Sequence, residues 1–170
     1  MTLEAKKGID VILLYRLLKK ETEQGAWKLA FQTEHEIGLS REASSAPTKD
    51  GAVQSMAQLE YEFSATSIVA KGDAHVKEMR QALIDGELIE IWEIDKSEKG
   101  TGAVNQDKFA ATYYQGFVTS FSQTANSEDG VELSLEFAIN GTGQDGFASL
   151  SEDQAEVVQY VFKDTTTADA

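Results

Sequence analysis

The first patterned stretch of the chain is DVILLYRLL, residues Asp10–Leu18. Apolar residues there fall on both parities, so it reads as a strand with no wet face. Elsewhere the pattern is strict alternation. In Ala26–Glu36 (AWKLAFQTEHE), Trp27, Leu29 and Phe31 share one side. In Leu59–Val69, Leu59, Tyr61, Phe63 and Ala65 oppose Glu60, Glu62, Ser64 and Thr66. Over 131–140, Val131, Leu133, Leu135, Phe137 and Ile139 oppose Glu132, Ser134, Glu136, Ala138 and Asn140. A period of two with one apolar side marks an antiparallel strand half in the core and half in water. Glu87–Asp95 and Phe109–Gln123, rich in Ile, Tyr, Phe, Val and Thr, complete the set of predicted strands.

The helical period occurs twice. Asp73 is placed as an N-cap, Val76, Met79 and Leu83 share a face, and Gly86 follows as a stop. A second helix is predicted over 152–162, with Ser151 as N-cap, Gln154 completing a capping box, and Val157, Val158, Val161 and Phe162 set for docking. The end, 164–170, reads as frayed. Two polar stretches read as long loops. Residues 40–52 (SREASSAPTKDGA) hold the only proline and a Lys-Asp-Gly turn signal, and residues 96–108 contain Gly100 and Gly102. Loops of that length in a compact domain are functional or disordered. The sum is one domain over residues 1–170: mainly β, an antiparallel β-sandwich with a flanking α-helix and a short C-terminal helix.

Composition narrows the function. With 170 residues, 41% hydrophobic and 26% charged, the chain can bury a core. Its formal charge is −14, 15 basic against 29 acidic residues. That excludes a surface that grips nucleic acid through Lys and Arg, but not one that nucleic acid passes without sticking. The absence of cysteine excludes disulfides, a thiol nucleophile and thiolate metal ligation. The longest apolar run, Val11–Tyr15, is too short to cross a bilayer, so no membrane anchor is expected. The N-terminus lacks the small-residue cleavage site of a secretory signal.

Candidate chemistry is sparse. Gly141, Gly143 and Gly146 match the GxGxxG of dinucleotide-binding folds. That motif works between a buried parallel strand and a helix starting on the glycines. Here the preceding strand is half wet, the next helix starts only after Ser151, and 24 residues follow Gly146. The glycines therefore read as a tight polar turn redirecting the chain toward the C-terminal helix. His35 lies between Glu34 and Glu36, but alternation points it away from both, and His75 sits in the first turn of a helix. Neither a GxSxG elbow nor an SxxK motif occurs. The paired acids Glu60/Glu62, Glu90/Glu93 and Glu132/Glu136 show no asymmetry that would make one an acid and the other a base. No catalytic, cofactor or metal site is expected. Residues 10–18 and 87–95, apolar on both faces, carry more apolar surface than a small sandwich has inside. Either the chain's own helices and loops cover it, or a second copy or partner does.

The segments GIDVILLYRLL, KLAFQTEHE, TKDG, EYEFSATSIVAKGD, IEIWEID, YYQGFVTS, ELSLEFAINGTGQDG and DQAEVVQYVFKDT occur in that order. Together the set resembles the major tail proteins, or tail tube proteins, of long non-contractile-tailed bacteriophages of Gram-positive bacteria, especially those of lactic acid bacteria. The resemblance implies a tail tube β-sandwich that is structural and not catalytic. It implies hexameric rings of this chain stacked into a hollow tube, a conduit through which double-stranded DNA passes into the host without specific binding. The implied partners are further copies of the chain, a tape measure protein, a tail terminator and a distal tail protein. The implied place is the virion tail, synthesised and assembled in the bacterial host cytoplasm. Contractile tails and secretion tubes share a related fold, and an acidic DNA mimic is the other reading of the charge. Within this picture Glu132 and Glu136, then Glu60 and Glu62, are expected along the lumen, each pair on the wet face of one strand. Alternation alone leaves open whether that face is the lumen or the outer wall. The loops are expected to reach the next ring through Thr48, Lys49, Asp50 and Gly51, and through Gly100 and Gly102.

Overall fold

In the computed structural model, which describes residues 2–155 and Thr165, the doubly apolar stretch forms strand β1 (Val11–Leu17). Leu13, Tyr15 and Leu17 enter the main core, while Ile12 and Leu14 enter a second cluster with Ile94 on the other side of the sheet. Ala26, Ala148 and Leu150 pack against that second cluster. Of the two ways to cover the surplus apolar face, the chain thus uses its own flanking segments.

The remaining elements are β2 (Gln32–Ser40), β3 (Ala43–Thr48), β4 (Gly51–Met56), β5 (Glu60–Ile68), α1 (Ala74–Asp85), β6 (Ile89–Lys99), β7 (Phe109–Thr124), β8 (Glu132–Ala148) and α2 (Glu152–Ala155). Six strands form one antiparallel sheet in the order β1-β6-β7-β8-β5-β2, and β3 and β4 pair separately. The sheet folds over, so that β1 and β6 face β8 and β5 across the core. Tyr15 stacks on Phe137 with centroids 5.7 Å apart, and Phe63 meets Phe137 and Tyr114 edge-on at 5.4 Å. One sheet thereby supplies both layers of the sandwich.

The α1 helix adds Met79 and Ala82 to the core. Its ends are set by the residues the sequence marks: the Asp73 carboxylate accepts from the His75 N–H at 3.0 Å, and Gly86 takes φ 67° after the last turn. His75 stacks flat on Trp27 at 4.3 Å, tying the helix to the segment that leads into β2. The second capping box also forms. Ser151 N–H donates to Gln154 Oε1 at 3.0 Å, Gln154 N–H donates to Ser151 Oγ at 3.2 Å, and Gln154 Nε2 donates to the Ala26 carbonyl at 2.9 Å. The rest of the helix expected over 152–162, and the frayed end expected over 164–170 apart from Thr165, lie outside the described residues.

Several expectations need correction. The strand expected over 26–36 starts only at Gln32, because Phe31 turns to φ 52° and its side chain is exposed; Trp27 makes an isolated bridge to Tyr15 instead. The loop expected over 40–52 is a hairpin, β3 and β4, every residue of which is exposed. The loop expected over 96–108 shortens to 100–108, since β6 continues to Lys99 past an irregularity after Asp95. The glycine motif is not a turn but lies inside β8. There the pairing passes from Gln115–Asn140 to Tyr113–Gln144, two steps on β7 against four on β8. Gly141 supplies φ 63° for this bulge, and Gly143 leaves the space that the Tyr114 ring and Thr112 methyl occupy.

A polar network lies beside the second cluster. Buried Glu90 accepts from Arg16 Nε and from the Tyr113 hydroxyl, each at 2.6 Å, and Gln115 Nε2 donates to Tyr113 at 2.9 Å. The Arg16 guanidinium lies over Trp92 at 5.1 Å and reaches the Gln24 carbonyl at 3.3 Å. Burial, then the bond to Glu90, push the Tyr113 phenol up to about 12, so it stays a donor.

Gly143→Val drives a side chain into the Tyr114 ring and is expected to cost about 1–3 kcal/mol in denaturant unfolding. Gly146→Ala, with open space at its Cβ and no positive φ, is expected to stay within about 0.5 kcal/mol of the parent. Equal effects at the two glycines would show that the bulge is not held by Tyr114.

Candidate functional site

The same alternation that fills the core builds a mostly polar face on the outside of β2, β5, β8 and β7, interrupted by exposed Ile68 and Phe117. Phe63, Ala65, Leu133, Leu135 and Phe137 point inward, so Glu60, Glu62, Glu132 and Glu136 point outward, and all four are exposed. Glu34 and Glu36 join them from β2, also exposed. The registers set these carboxylates in rows with hydroxyls. One row reads Glu36, Ser64, Glu136, Ser120; the next reads Glu34, Thr66, Ser134, Ser122. Glu62 lies opposite Gly38, Glu60 opposite Ser40, and Glu132 opposite Thr124. In none of these pairings does a carboxylate face another directly, the arrangement that would destabilise the sheet most. Glu36 and Glu136 stand two strands apart, about 9–10 Å by the usual strand spacing. Glu36, Glu62, Ser64 and Glu136 line one open groove of about 440 Å³.

The four strands contain no Lys or Arg. Arg16, Lys96 and Lys99 lie on β1 and β6, the other half of the sheet. A cation-free face of six carboxylates has nothing to hold a phosphate and much to repel one.

The structure thus brings the four sequence-selected acids onto one face and adds Glu34 and Glu36, which sequence reading weighed only as neighbours of His35. The signal was available: if His35 points inward, both flanking acids must point out. His35 Nε2 lies 2.7 Å from Glu93 Oε2 of β6, on the face opposite its neighbouring acids. Among the described residues no group of three His, Asp or Glu side chains is placed to hold a metal ion.

The residues expected to contact the next ring lie at two exposed turns. At the hairpin tip, Thr48 Oγ1 donates to the Gly51 carbonyl at 2.5 Å and accepts from the Asp50 N–H at 3.2 Å, and Gly51 takes φ 114°. Lys49 is exposed beside them. The turn after β6 is closed by Gly100 N–H to Lys108 O at 2.8 Å, with Gly102 at φ 83° and Val104 85% exposed at its crown.

A family model for the phage tail tube protein matches residues 5–145. The chain belongs to the phage tail tube protein family. A putative tail protein of Staphylococcus phage phiMR25 is 32% identical over 168 residues, covering 97% of this chain and 86% of the relative. The tail tube protein of Bacillus phage SPP1 is 24% identical over 139 residues, covering 82% of this chain and 51% of that protein, so the chain spans about half the length of that relative. The solved SPP1 tail tube has the same fold, with a TM-score of 0.78, 21% identity, and coverage of 94% of this chain and 91% of that one. The tail of an empty gene transfer agent particle, computed with C6 symmetry, gives a TM-score of 0.60 at 15% identity over 85% of this chain and all of that one. This tail tube protein is therefore a structural component of the virion tail, not an enzyme. Among the described residues no helix is long and apolar enough to cross a membrane.

If the carboxylates were structural, removing their charge would cost stability. The tail tube protein carrying Glu36→Gln, Glu62→Gln and Glu136→Gln is instead expected to unfold within about 0.5 kcal/mol of the parent or slightly later, because the exposed charges repel one another. A loss above about 1 kcal/mol in urea unfolding would assign these side chains to the fold rather than to the surface they form.

Proposed function

We propose that six copies of this tail tube protein close into a ring, that rings stack into a tube, and that the β2–β5–β8–β7 face lines its bore. The observation that carries the reading is the cation-free face, which spans four adjacent strands and displays six carboxylates. Double-stranded DNA carries about one charge per 1.7 Å of its axis, and a basic wall would hold it with a Kd of roughly 10⁻⁴ to 10⁻⁶ M per site. An acidic wall pushes it off, across a range of about 8 Å at physiological salt. Glu132, Glu136, Glu60 and Glu62, with Glu34 and Glu36, act in this reading as a lining along which DNA slides. The sixfold tail of the same fold supports the ring number.

The β3–β4 hairpin, with Thr48, Lys49, Asp50 and Gly51 at its tip, and the 100–108 turn, with Gly100 and Gly102, carry the contact to the next ring. A two-stranded hairpin without a core is marginal in water, so a neighbouring copy completes the packing of β3 and β4. The tube encloses a tape measure protein and meets a tail terminator at one end and a distal tail protein at the other.

Glu132→Lys with Glu136→Lys is expected to leave tails that assemble, with DNA ejection slowed at least about tenfold in a real-time ejection assay, because the added cations hold phosphates. Unaltered delivery from such tails would move this face to the outer wall. Deleting 43–56 with a short Gly-Ser bridge is expected to give a folded subunit that forms no long tubes in electron micrographs. Tubes of normal length from that variant would remove the hairpin from the ring-to-ring contact.

A further inference from the structure

The chain has three asparagines, Asn105, Asn126 and Asn140, and one of them precedes a glycine, Asn140 before Gly141. That pair stands at the edge of the bulge in β8. Pairing with β7 passes from Asn140 to Gln144, so Gly141, Thr142 and Gly143 have no register partner there. Pairing with β5, on the other side, has already ended at Phe137. Gly141 takes φ 63°, and nothing lies within 4 Å of the place a Cβ would fill. Asn140 is exposed, and among the described residues its side-chain amide has no hydrogen-bond partner. The other two asparagines are placed differently. Asn126 Oδ1 accepts from the Glu128 and Asp129 N–H groups at 2.9 and 2.8 Å. Asn105 is followed by Gln106 and Asn126 by Ser127, and only glycine leaves its nitrogen unshielded by a side chain.

We propose that Asn140 is a self-modifying position, converted without an enzyme to aspartate or isoaspartate. The Gly141 nitrogen attacks Asn140 Cγ. The N–Cγ bond forms, the Cγ–Nδ2 bond breaks, and the amide leaves as ammonia with the proton from Gly141. Water then opens the five-membered imide. Opening at Cγ gives aspartate; opening at the main-chain carbonyl gives isoaspartate, whose backbone is one atom longer. Nothing is oxidised or reduced. The 140–141 peptide must turn for its nitrogen to reach Cγ, and a strand paired on both sides forbids that turn. Past Asn140 the ladder imposes no such hold. The bulge also has room for the extra atom, since it already sets four steps of β8 against two of β7. Either product is negative at neutral pH. Ile139 packs against the main core, so Asn140 points outward with the parity of Glu132 and Glu136. The reaction therefore adds a carboxylate to the acidic face. The use of that charge as bore lining rests on the tube reading; the reaction does not.

The purified subunit is held in mildly alkaline buffer, folded and in guanidinium chloride, and its peptides are followed by mass spectrometry. Asn140 is expected to gain about one dalton, NH₂ replaced by OH. In the folded chain it is expected to do so at least about tenfold faster than Asn105 or Asn126. Its rate in the folded chain is expected to lie within about tenfold of that in denaturant. Asp50, Asp85, Asp129 and Asp145 also precede glycine, but their rearrangement changes neither mass nor charge. Isoelectric focusing is expected to show one added negative charge per converted chain. Asn140→Gln, whose longer side chain does not close the five-membered ring, is expected to lack it. Converted chains are expected to keep the denaturation midpoint of Asn140→Gln and to polymerise as that variant does. Earlier conversion at Asn105 or Asn126, or conversion of Asn140 more than about tenfold slower folded than unfolded, would overturn the site. Unfolding on conversion would overturn the claim that the bulge takes up the longer backbone. If neither converted nor unconverted chains form tubes, the tube reading fails, while the rates on the lone subunit still decide the site.

Discussion

Backbone N–H and C=O groups at the margin of a sheet must be met by something, and the way this chain meets them governs the rest of its architecture. The six strands fold over far enough for the two layers to share a core, yet β1 and β2 do not pair. The gap is spanned by side chains and by the short bridge at Trp27. Because the closure is made by a few specific groups, one long margin is left over. A subunit with a buried core and an open edge still has backbone bonds to offer.

The core and the acidic face are two results of one period. Each Phe or Leu that points inward on β5 and β8 sets its neighbours outward, and the chain fills most of those outward positions with Glu, Ser and Thr. The pairing registers then interleave carboxylates with hydroxyls across strands, which keeps the density of charge high without setting like charges directly opposite. On the other half of the sheet the even-numbered positions from Ile12 to Arg16 on β1 and from Glu90 to Ile94 on β6 are apolar or bonded in the Arg16–Glu90–Tyr113 network, and the chain's own flanks pack against them. One half of the sheet is thus given to charge and the other to adhesion.

Much of this architecture is legible in the amino-acid sequence. β1, β5, β7, both ends of α1 and the Ser151–Gln154 box follow from local rules acting over a few residues, and each forms where those rules place it, whereas β6 runs on past its expected end at Asp95 to Lys99. The misreadings have a common physical source. Phe31 adopts a positive φ that no local propensity favours, because the chain must turn there from Trp27 against β1 into β2 beside β5. Residues 43–56 lack the apolar alternation of a buried strand, since neither face of that hairpin meets a core, so only the Lys-Asp-Gly turn betrays it. The glycines at 141–146 look like a turn because bulges and turns call for the same backbone freedom; only the pairing with β7 tells them apart. The carboxylate face is half legible. Its members can be read strand by strand, but the adjacency of β2, β5 and β8 is a matter of topology.

The unbroken run of β8 through its bulge has a mechanical consequence. β7 and β8 take part in both layers, pairing with each other throughout while β6 joins one end of the pair and β5 the other. Load applied to one layer therefore reaches its counterpart along peptide bonds, not merely through side-chain contact, and the layers cannot shear past each other without tearing that ladder. Such a subunit is stiff. In a tail built of such subunits, any bending would have to fall at the joints from one building block to the next.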